Sequence, residues 1–515
     1  MASRSYQPTL LLAAASGLLL VLVFPKFNLL PLCAVALVPL LLAMAKEASP
    51  WRRFLSSWMA GCVFFAGICY WIYGVMRNYG GLGVAASAGV FVLLPLVLGL
   101  YFGLFGWLAG ALWNAKWGNV LWGPMAIPFL WVSLEYARAH LLSGFPWLLL
   151  GYALTDSFGL ARLSRWTGVY GLSFLVVAWN VAGAWFIVRR SKWADAHIGA
   201  VIVVTMLLVA TGAPESYTED RTAYLVQTNI PEAVAFEPWS PTAQGPLLER
   251  LRALTVGAVG HQEQPSFVIW PETPAPFYFE DDAFSRRYGE SLARETNSYF
   301  LLGIVGYVPG SARSKPLNST VLLGPDGAVQ SQYDKIHLVP FGEYVPLKEW
   351  LAFADKLTAE VSDFVPGERY VVSQLPGGRM SDVICYEGIF PDLVRRFVHD
   401  GAEVLVNTSN DGWYGTSAAR DQLLLMVRMR AVENARFLLR ATNTGMTAVI
   451  RPDGSIAQRL APDRAEVLEA RWTYQNRETF YTRHGDLFAI AACVVTALAL
   501  AGAGHRDTEA QSKKG

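Results

Sequence analysis

The sequence predicts a polytopic α-helical membrane protein of about eight spans that carries one extramembrane α/β domain. Three observations carry this. The 515 residues are 53% hydrophobic and only 16% charged, with mean hydropathy +0.30, whereas ordinary soluble domains hold roughly 25% charged residues. The apolar excess lies before about residue 212 and again near 487–503, in long uncharged runs. Between these regions, short β-rich runs alternate with helical stretches in an ordinary globular composition.

A span needs about 20 apolar residues, and the candidates are 10–24, 29–44, 54–75, 82–113, 120–139, 168–188, 197–211 and 487–503. The 82–113 run exceeds one perpendicular crossing, so tilt, extension beyond the membrane or a split into two short helices is expected there. The first run lacks a small-residue cleavage site before a polar mature start, which makes it a retained helix rather than a signal peptide. Lys and Arg set the orientation. With the N-terminus in the cytoplasm, the inside segments hold Arg4; Lys46, Arg52 and Arg53; Lys116; Arg189, Arg190 and Lys192; and Arg506, Lys513 and Lys514. The outside loops hold few, such as Lys26, Arg77 and Arg162. That bias divides the chain into a seven-span bundle at 1–214, an exported domain at 215–477, and a last helix with a cytoplasmic tail at 478–515. In a bacterium these are the inner membrane and the periplasm.

Of the five cysteines, Cys33, Cys62, Cys69 and Cys493 fall in predicted spans, so no disulfide framework is expected even in an oxidising compartment. A net charge of +1 gives no basis for a nucleic-acid surface. Zinc-spaced Cys/His pairs, a P-loop and a dinucleotide fingerprint are all missing from the sequence, so neither a metal nor a cofactor is expected.

Within the exported domain the strand candidates are 223–227, 267–270, 299–305, 319–323, 380–384, 404–407, 438–443, 447–450 and 467–470. The helix candidates are 244–259, 282–296, 391–398 and 418–435. Asp326-Gly327 and Asp453-Gly454 separate apolar runs as hairpin turns do. About 250 residues in this pattern suit one α/β domain with helices covering a sheet core.

Four strand ends carry unusual chemistry. Glu272 follows Phe267-Val268-Ile269-Trp270-Pro271 directly, where partial desolvation raises a carboxylate toward the range of a general base. Lys335 sits in Tyr333-Asp334-Lys335-Ile336-His337-Leu338-Val339-Pro340-Phe341-Gly342-Glu343, where a fixed charge can stabilise an oxyanion. Cys385 lies in Asp382-Val383-Ile384-Cys385-Tyr386-Glu387-Gly388, at the passage from a strand to an expected helix start, whose N–H groups favour a thiolate. Asn407-Thr408-Ser409-Asn410-Asp411-Gly412-Trp413 forms a polar loop suited to a pocket wall. Each segment alone has an ordinary explanation: a surface acid, a snorkelling lysine, a buried strand thiol, a turn.

Together, Glu272, Lys335 and Cys385, 63 and then 50 positions apart, resemble the nitrilase superfamily of C–N bond enzymes. The resemblance implies an αββα sandwich with Glu as base, Lys stabilising the intermediate and Cys as nucleophile. Seven spans before such a domain, one after it, and Ser143-Gly144-Phe145-Pro146-Trp147 between spans five and six are similar to the apolipoprotein N-acyltransferase family. That likeness implies supporting or substrate-binding roles for Glu343, Tyr386, Glu387, Asn410, Trp413 and Trp147. The family's tryptophan after Asn-Ile-Pro has two counterparts here, Phe236 and Trp239, beyond Asn229-Ile230-Pro231. The implied reaction passes an acyl chain from a membrane phospholipid, phosphatidylethanolamine by resemblance, through a Cys385 thioester. The acceptor is the α-amino group of the diacylglyceryl-cysteine of an apolipoprotein. Both substrates lie in the bilayer, and a monomer with its site near the outer interface is expected. The run Phe277-Tyr278-Phe279 is a candidate lining of the entrance. The catalytic three are also compatible with a membrane-anchored amidase of small amides, and the architecture with a non-enzymatic receptor.

Overall fold

A computed structural model describes the chain except residues 1–5, 114–115, 118–119, 189–190, 213–214, 232–240, 274–278, 280–281, 312–314, 346–363 and 513–515. It comprises two compact units: residues 1–76, 83–214 and 484–515, and residues 77–82 with 215–483.

The first unit is helical. Its main helices are α1 (Gln7–Val23), α2 (Val38–Lys46), α3 (Pro50–Ile68), α4 (Trp71–Asn78, the end of which joins the second unit), α5 (Val84–Leu112), α6 (Gly123–His140), α7 (Val169–Val188) and α8 (Lys192–Ala210). Three of these, α5, α7 and α8, are long and apolar enough to cross a membrane. The pair α3 and α4, bent by 55°, makes a fourth if it counts as one span. The 82–113 run is one continuous helix despite Pro95, not two. By contrast 54–75 breaks between α3 and α4, and 29–44 divides into the 3₁₀ turn Leu30–Ala34 and α2. The second break is closed by Asn180 of α7, whose Oδ1 accepts from Leu37 N at 2.8 Å and whose Nδ2 donates to Cys33 O at 2.7 Å. An interrupted helix in lipid needs this kind of internal partner. The α3–α5 contact is made by small residues, since Gly99, Gly103, Gly106 and Gly110 repeat at helical spacing. A Cβ on Gly106 would lie 1.8 Å from Ser57 Oγ, and such small-residue faces let helix backbones approach closely.

The second unit is an α–β–β–α sandwich. Its strands are β1 (Arg221–Gln227), β2 (Ser266–Ile269), β3 (Ser298–Tyr307), β4 (Pro316–Leu323), β5 (Val329–Asp334), β6 (Ser373–Leu375), β7 (Gly378–Ile384), β8 (Val404–Ser409), β9 (Leu438–Thr442), β10 (Ala448–Ile450), β11 (Ile456–Arg459) and β12 (Glu466–Trp472). One sheet runs β12-β1-β2-β3-β4-β5 and the other β11-β10-β9-β8-β7-β6. The central neighbours β1/β2/β3 and β7/β8/β9 are parallel and the outer ones antiparallel. The period of two sorts the first sheet's residues between its faces. Leu225, Phe267, Ile269 and Leu301 meet Met380, Val404, Val406 and Leu439 of the other sheet. Their sequence neighbours Val226, Val268, Trp270 and Phe300 pack under Leu248 and Leu251 of α9 (Pro241–Val259) and Leu292 of α10 (Ala283–Thr296). The outer helices of the second sheet are α11 (Pro391–His399) and α12 (Ala419–Asn434), and α12 is buried at every position but Asp421. Both Asp-Gly pairs turn hairpins, with Gly327 at φ 80° and Gly454 at φ 85°. The sequence reading misses β5, β6 and β11, which are short or polar strands at sheet edges. The last helix, α13 (Leu487–Ser512), belongs to the first unit.

Candidate active site

Strand β2 ends because Pro271 cannot extend the ladder, and the corner Pro271–Thr273 folds onto Gly303 of β3. A Cβ on Gly303 would sit 2.4 Å from Thr273 N. This corner turns Glu272 into the unit, where it is 6% exposed. Its Oε1 accepts from Lys335 Nζ at 3.1 Å and from Asn318 Nδ2 at 2.8 Å; its Oε2 accepts from the Asn410 backbone N–H at 2.8 Å. Burial alone raises this carboxyl, but the Lys335 charge and the hydrogen bonds from Asn318, Asn410 N–H and the Cys385 thiol outweigh it and hold it below the ordinary value. The sequence reading expects a raised carboxyl, and the correction follows from the company: desolvation is real, yet an adjacent ammonium and several donors favour the charged form. A carboxylate poised this way is ionised and ready to accept a proton.

Lys335 is 1% exposed and lies between two carboxylates, 3.1 Å from Glu272 Oε1 and 2.8 Å from Glu343 Oε1. Burial lowers its ammonium, but Glu272 and Glu343 raise it further and keep it charged. The turn that brings Glu343 round uses Phe341 at φ 61° and a bond from Val339 N to Glu343 Oε2 of 2.7 Å. Asn318 Nδ2 donates to both acids, at 2.8 and 2.6 Å. Two acceptors facing one nitrogen fix which way that amide points. Asn318 is the residue the sequence reading misses, because it lies at the start of β4, ahead of the 319–323 run, and looks like an ordinary polar strand flank.

Cys385 follows β7 with φ 52°, a left-handed backbone that costs a non-glycine residue energy and is concentrated at functional sites. The expected helix does not begin there. Cys385–Ile389 is a 3₁₀ turn and α11 starts at Pro391. The thiol is buried; that burial, then the charges of Glu272 and Asp411, push it up, against the opposing pull of Lys335 and a Ser409 hydrogen bond. A resting thiolate is therefore the wrong expectation. The proton sits on sulfur, hydrogen-bonded to Glu272, and must be handed over for the sulfur to attack.

Glu387 is fully buried and turned to the backbone. Its Oε1 accepts from Tyr333 Oη at 2.7 Å, Ile336 N at 2.7 Å and His337 N at 3.0 Å, and its Oε2 accepts from Ile384 N at 2.8 Å. This side chain clamps the loop carrying Lys335 to the turn carrying Cys385. Burial pushes its carboxyl up to about 7 against the pull of those donors and of Lys335. In Glu387→Gln one amide nitrogen must face an N–H it cannot accept from. We expect a loss of about 1–3 kcal/mol of stability, read as a lower thermal midpoint, together with slower chemistry at Cys385. An unchanged midpoint and rate would remove the clamp. Tyr386 packs beside Phe390, ring centroids 5.2 Å apart, and His337 at 6.0 Å.

Asn410 delivers its N–H to Glu272 while its Oδ1 accepts from Gly412 N at 3.2 Å and Asn443 Nδ2 at 3.1 Å. Asn443 also holds Ile230 through both backbone groups at 2.8 Å, which seats the Asn229-Ile230-Pro231 segment beside this loop. Phe236 and Trp239, beyond it, lie outside the described residues, as do Phe277 and Tyr278. Phe279 is 3% exposed within the core under α10, so it does not line an entrance. Trp413 is half-buried, edge-on to Tyr79 at 5.1 Å. Trp147 lies in the first unit, fully buried against Trp71 at 4.9 Å. Its segment is stapled to α6, where Arg138 Nη1 donates to Phe145 O and Trp147 O, both at 2.9 Å, and Glu135 Oε1 accepts from Leu150 N at 2.7 Å. Glu272, Lys335, Glu343 and Cys385 are thus gathered at one point, with Asn410 behind the base and Glu387 behind the turn.

Comparison with known proteins adds the family. The apolipoprotein N-acyltransferase N-terminal domain model matches residues 16–182, and the carbon-nitrogen hydrolase model matches residues 223–479. An apolipoprotein N-acyltransferase of Geobacter metallireducens is 38% identical over 504 residues, covering 95% of each chain. Those of Chlorobaculum tepidum and Methylococcus capsulatus are 31% and 33% identical, each covering 94% of both chains. Among solved structures, Nit3 of Saccharomyces cerevisiae, a member of branch 10 of the nitrilase superfamily, is 20% identical. That match covers 50% of this chain and 92% of Nit3, with a TM-score of 0.38. With both domain models matched in order and relatives aligned over nearly the full length, this chain belongs to the apolipoprotein N-acyltransferase family.

Proposed function

We propose that the protein transfers an acyl chain from a membrane phospholipid to the α-amino group of the diacylglyceryl-cysteine at an apolipoprotein N-terminus, through a thioester on Cys385. The observation that carries the reading is the buried cluster in which Glu272, hydrogen-bonded to the Cys385 thiol, shares Lys335 with Glu343. In the first half-reaction Glu272 takes the thiol proton and the sulfur attacks the ester carbonyl. The ammonium of Lys335 offsets the negative charge that develops on oxygen. Collapse breaks the ester C–O bond, and the leaving lysophospholipid oxygen takes the proton from Glu272. In the second half the neutral amine attacks the thioester, Glu272 receives the amine proton, and the C–S bond breaks to leave an amide and, after proton return, the thiol. Glu343 keeps Lys335 charged and in place, Asn410 holds Glu272 through its N–H, and Tyr386 and Trp413 take supporting or substrate-binding roles. Phosphatidylethanolamine is the proposed donor, and the working unit is one copy of the chain. A small-amide amidase and a receptor are not favoured, because the likeness to acyltransferases extends through the membrane unit and not only the sandwich.

The expected result is a mass gain of one acyl chain on Cys385 after incubation with phospholipid, discharged by a synthetic diacylglyceryl-cysteine peptide that becomes N-acylated. An adduct absent from the peptide containing Cys385, or one that water alone discharges as fast as the lipopeptide does, would refute the transfer reading. The proposal also includes eight crossings in a bacterial inner membrane, with both termini in the cytoplasm and residues 215–477 in the periplasm. In a background without the native cysteines, a membrane-impermeant thiol reagent is expected to label Ala328→Cys in intact cells and to spare Ser191→Cys. The opposite pattern sinks this orientation.

A further inference from the structure

Behind the reacting groups lies an ion pair that the transfer scheme never touches. Arg440 of β9 and Asp411, which opens the 3₁₀ turn Asp411–Tyr414, are both wholly buried. Arg440 Nη2 donates to Asp411 Oδ1 at 2.7 Å and to Oδ2 at 2.8 Å, while Nη1 donates to Asn407 Oδ1. From these two residues the connection runs to both halves of the chemistry. Asn407 Nδ2 donates to Val383 O at 2.7 Å and to Cys385 O at 3.5 Å, bracing the left-handed turn of the nucleophile. Asp411 follows Asn410, whose N–H lies on Glu272 Oε2, and it accepts from Ser409 Oγ at 2.8 Å. Space has been left for this carboxylate, since a Cβ on Gly445 would fall 1.9 Å from Asp411 Oδ2.

Stability alone is a poor account of the pair. Burying two charges carries a desolvation cost that apolar residues of the same volume would avoid, and among the described residues the buried Arg440 Nε has no acceptor. A planar guanidinium does offer what a strand end and a loop need, which is several donors in a fixed fork. We propose that Arg440 is a positioning residue for the transfer reaction, its guanidinium fixing Asp411 and Asn407 so that the Asn410 N–H stays on Glu272 and the Cys385 turn keeps its shape. This rests on the reading of Glu272 and Cys385 given above. It also neutralises Asp411, one of three charged groups that act on the thiol beside Glu272 and Lys335, with the phenol of Tyr414 close by.

The test compares Arg440→Gln, Arg440→Lys and the double variant Arg440→Gln/Asp411→Asn in the full-length protein, each checked for folding by thermal midpoint. Two quantities are read: the pH profile of alkylation at Cys385 by iodoacetamide, located by peptide mass, and the rate of acyl-enzyme formation against phospholipid concentration. Arg440→Gln leaves Asp411 unpaired, so the alkylation profile is expected to move to higher pH and the maximal acylation rate to fall at least about tenfold, with half-saturation unchanged. In the double variant, which is neutral at both positions, the profile is expected to move back toward that of the wild type. Arg440→Lys keeps a charge but loses the fork, and should keep the wild-type profile while acylating several-fold more slowly. A folded Arg440→Gln with wild-type profile and rate overturns the proposal. So does a double variant no different from the single one, since that pattern reports lost structure only. If Arg440→Gln does not fold, a wild-type rate in Arg440→Lys overturns it. Alkylation needs no lipid, so a shifted profile beside a wild type that forms no acyl-enzyme would refute the proposed function and leave the positioning role standing.

Discussion

Replacing Cys385 by serine is expected to abolish acyl transfer, with at least about a thousandfold loss of rate, while the variant folds and inserts as before. The change removes no packing of consequence, since one oxygen replaces one sulfur in a site already shaped by the turn Cys385–Ile389. What it removes is a group from which Glu272 can take a proton. Glu272 is held below its ordinary value by Lys335, Asn318 and the Asn410 N–H, which makes it a weak base. A thiol lies within reach of such a base when the transition state develops charge that Lys335 can share, whereas an alcohol is much less acidic. The check is intact mass after incubation with phospholipid, alongside thermal unfolding of both proteins. An acyl adduct forming on the serine variant at the wild-type rate would show that another residue is the nucleophile.

The second large effect is expected from Lys335→Ala, and it should appear in chemistry, in stability and in pH dependence together. The ammonium neutralises two carboxylates, those of Glu272 and Glu343, at 3.1 and 2.8 Å. Removing one member of a buried ionic cluster costs about 3–5 kcal/mol, and losing a preorganised oxyanion stabiliser costs about a hundredfold or more in rate. The pH effect has a definite sign. Lys335 is what overcomes burial at Glu272, so without it the carboxyl rises and stays protonated to higher pH. A protonated Glu272 cannot take the thiol proton. The residual activity should therefore lose its acidic side, falling off at a higher pH than in the wild type. The thiol itself should also become harder to alkylate at neutral pH, because Lys335 pulls it down. A variant with full rate, or with an acidic limb unmoved, would take the oxyanion and charge-setting roles away from Lys335.

Period and punctuation made much of this molecule legible in its sequence. Alternation placed the long strands and the four covering helices of the sandwich to within a few residues, and the Asp-Gly pairs marked both hairpins, because these signals are local and the residues that create them also bury the faces they define. Glu272 and Cys385 stood out for a related reason: each follows an apolar strand at the place where the chain leaves the ladder, and that position can be read without knowing what lies opposite. Lys335 follows the polar strand β5 and stood out instead by the apolar residues and the Pro-Phe-Gly turn after it. Apolar runs likewise marked the helices of the first unit, though not where they break, since the break at Leu30–Ala34 depends on Asn180, which lies far away in sequence.

The electrostatics of the site come from residues that the fold brings together. From sequence, a buried Glu272 reads as a raised carboxyl and Cys385 as an activated thiolate; each is the reverse, because a pKa follows from neighbours contributed by other strands. Asn318, which bridges Glu272 and Glu343, and Arg440, which holds Asp411, carry no signature of their own. Glu387, for which the family likeness implies a supporting or substrate-binding role, accepts from backbone N–H groups on two segments. Local period and residue type are enough to mark which residues could do the chemistry and on which elements most of them ride. The assembled fold decided their charge states and which side chains hold them, because Coulomb and hydrogen-bond energies depend on distances of about 3 Å between residues on different elements, such as Glu272 with Lys335 and Asn410, 63 and 138 positions away.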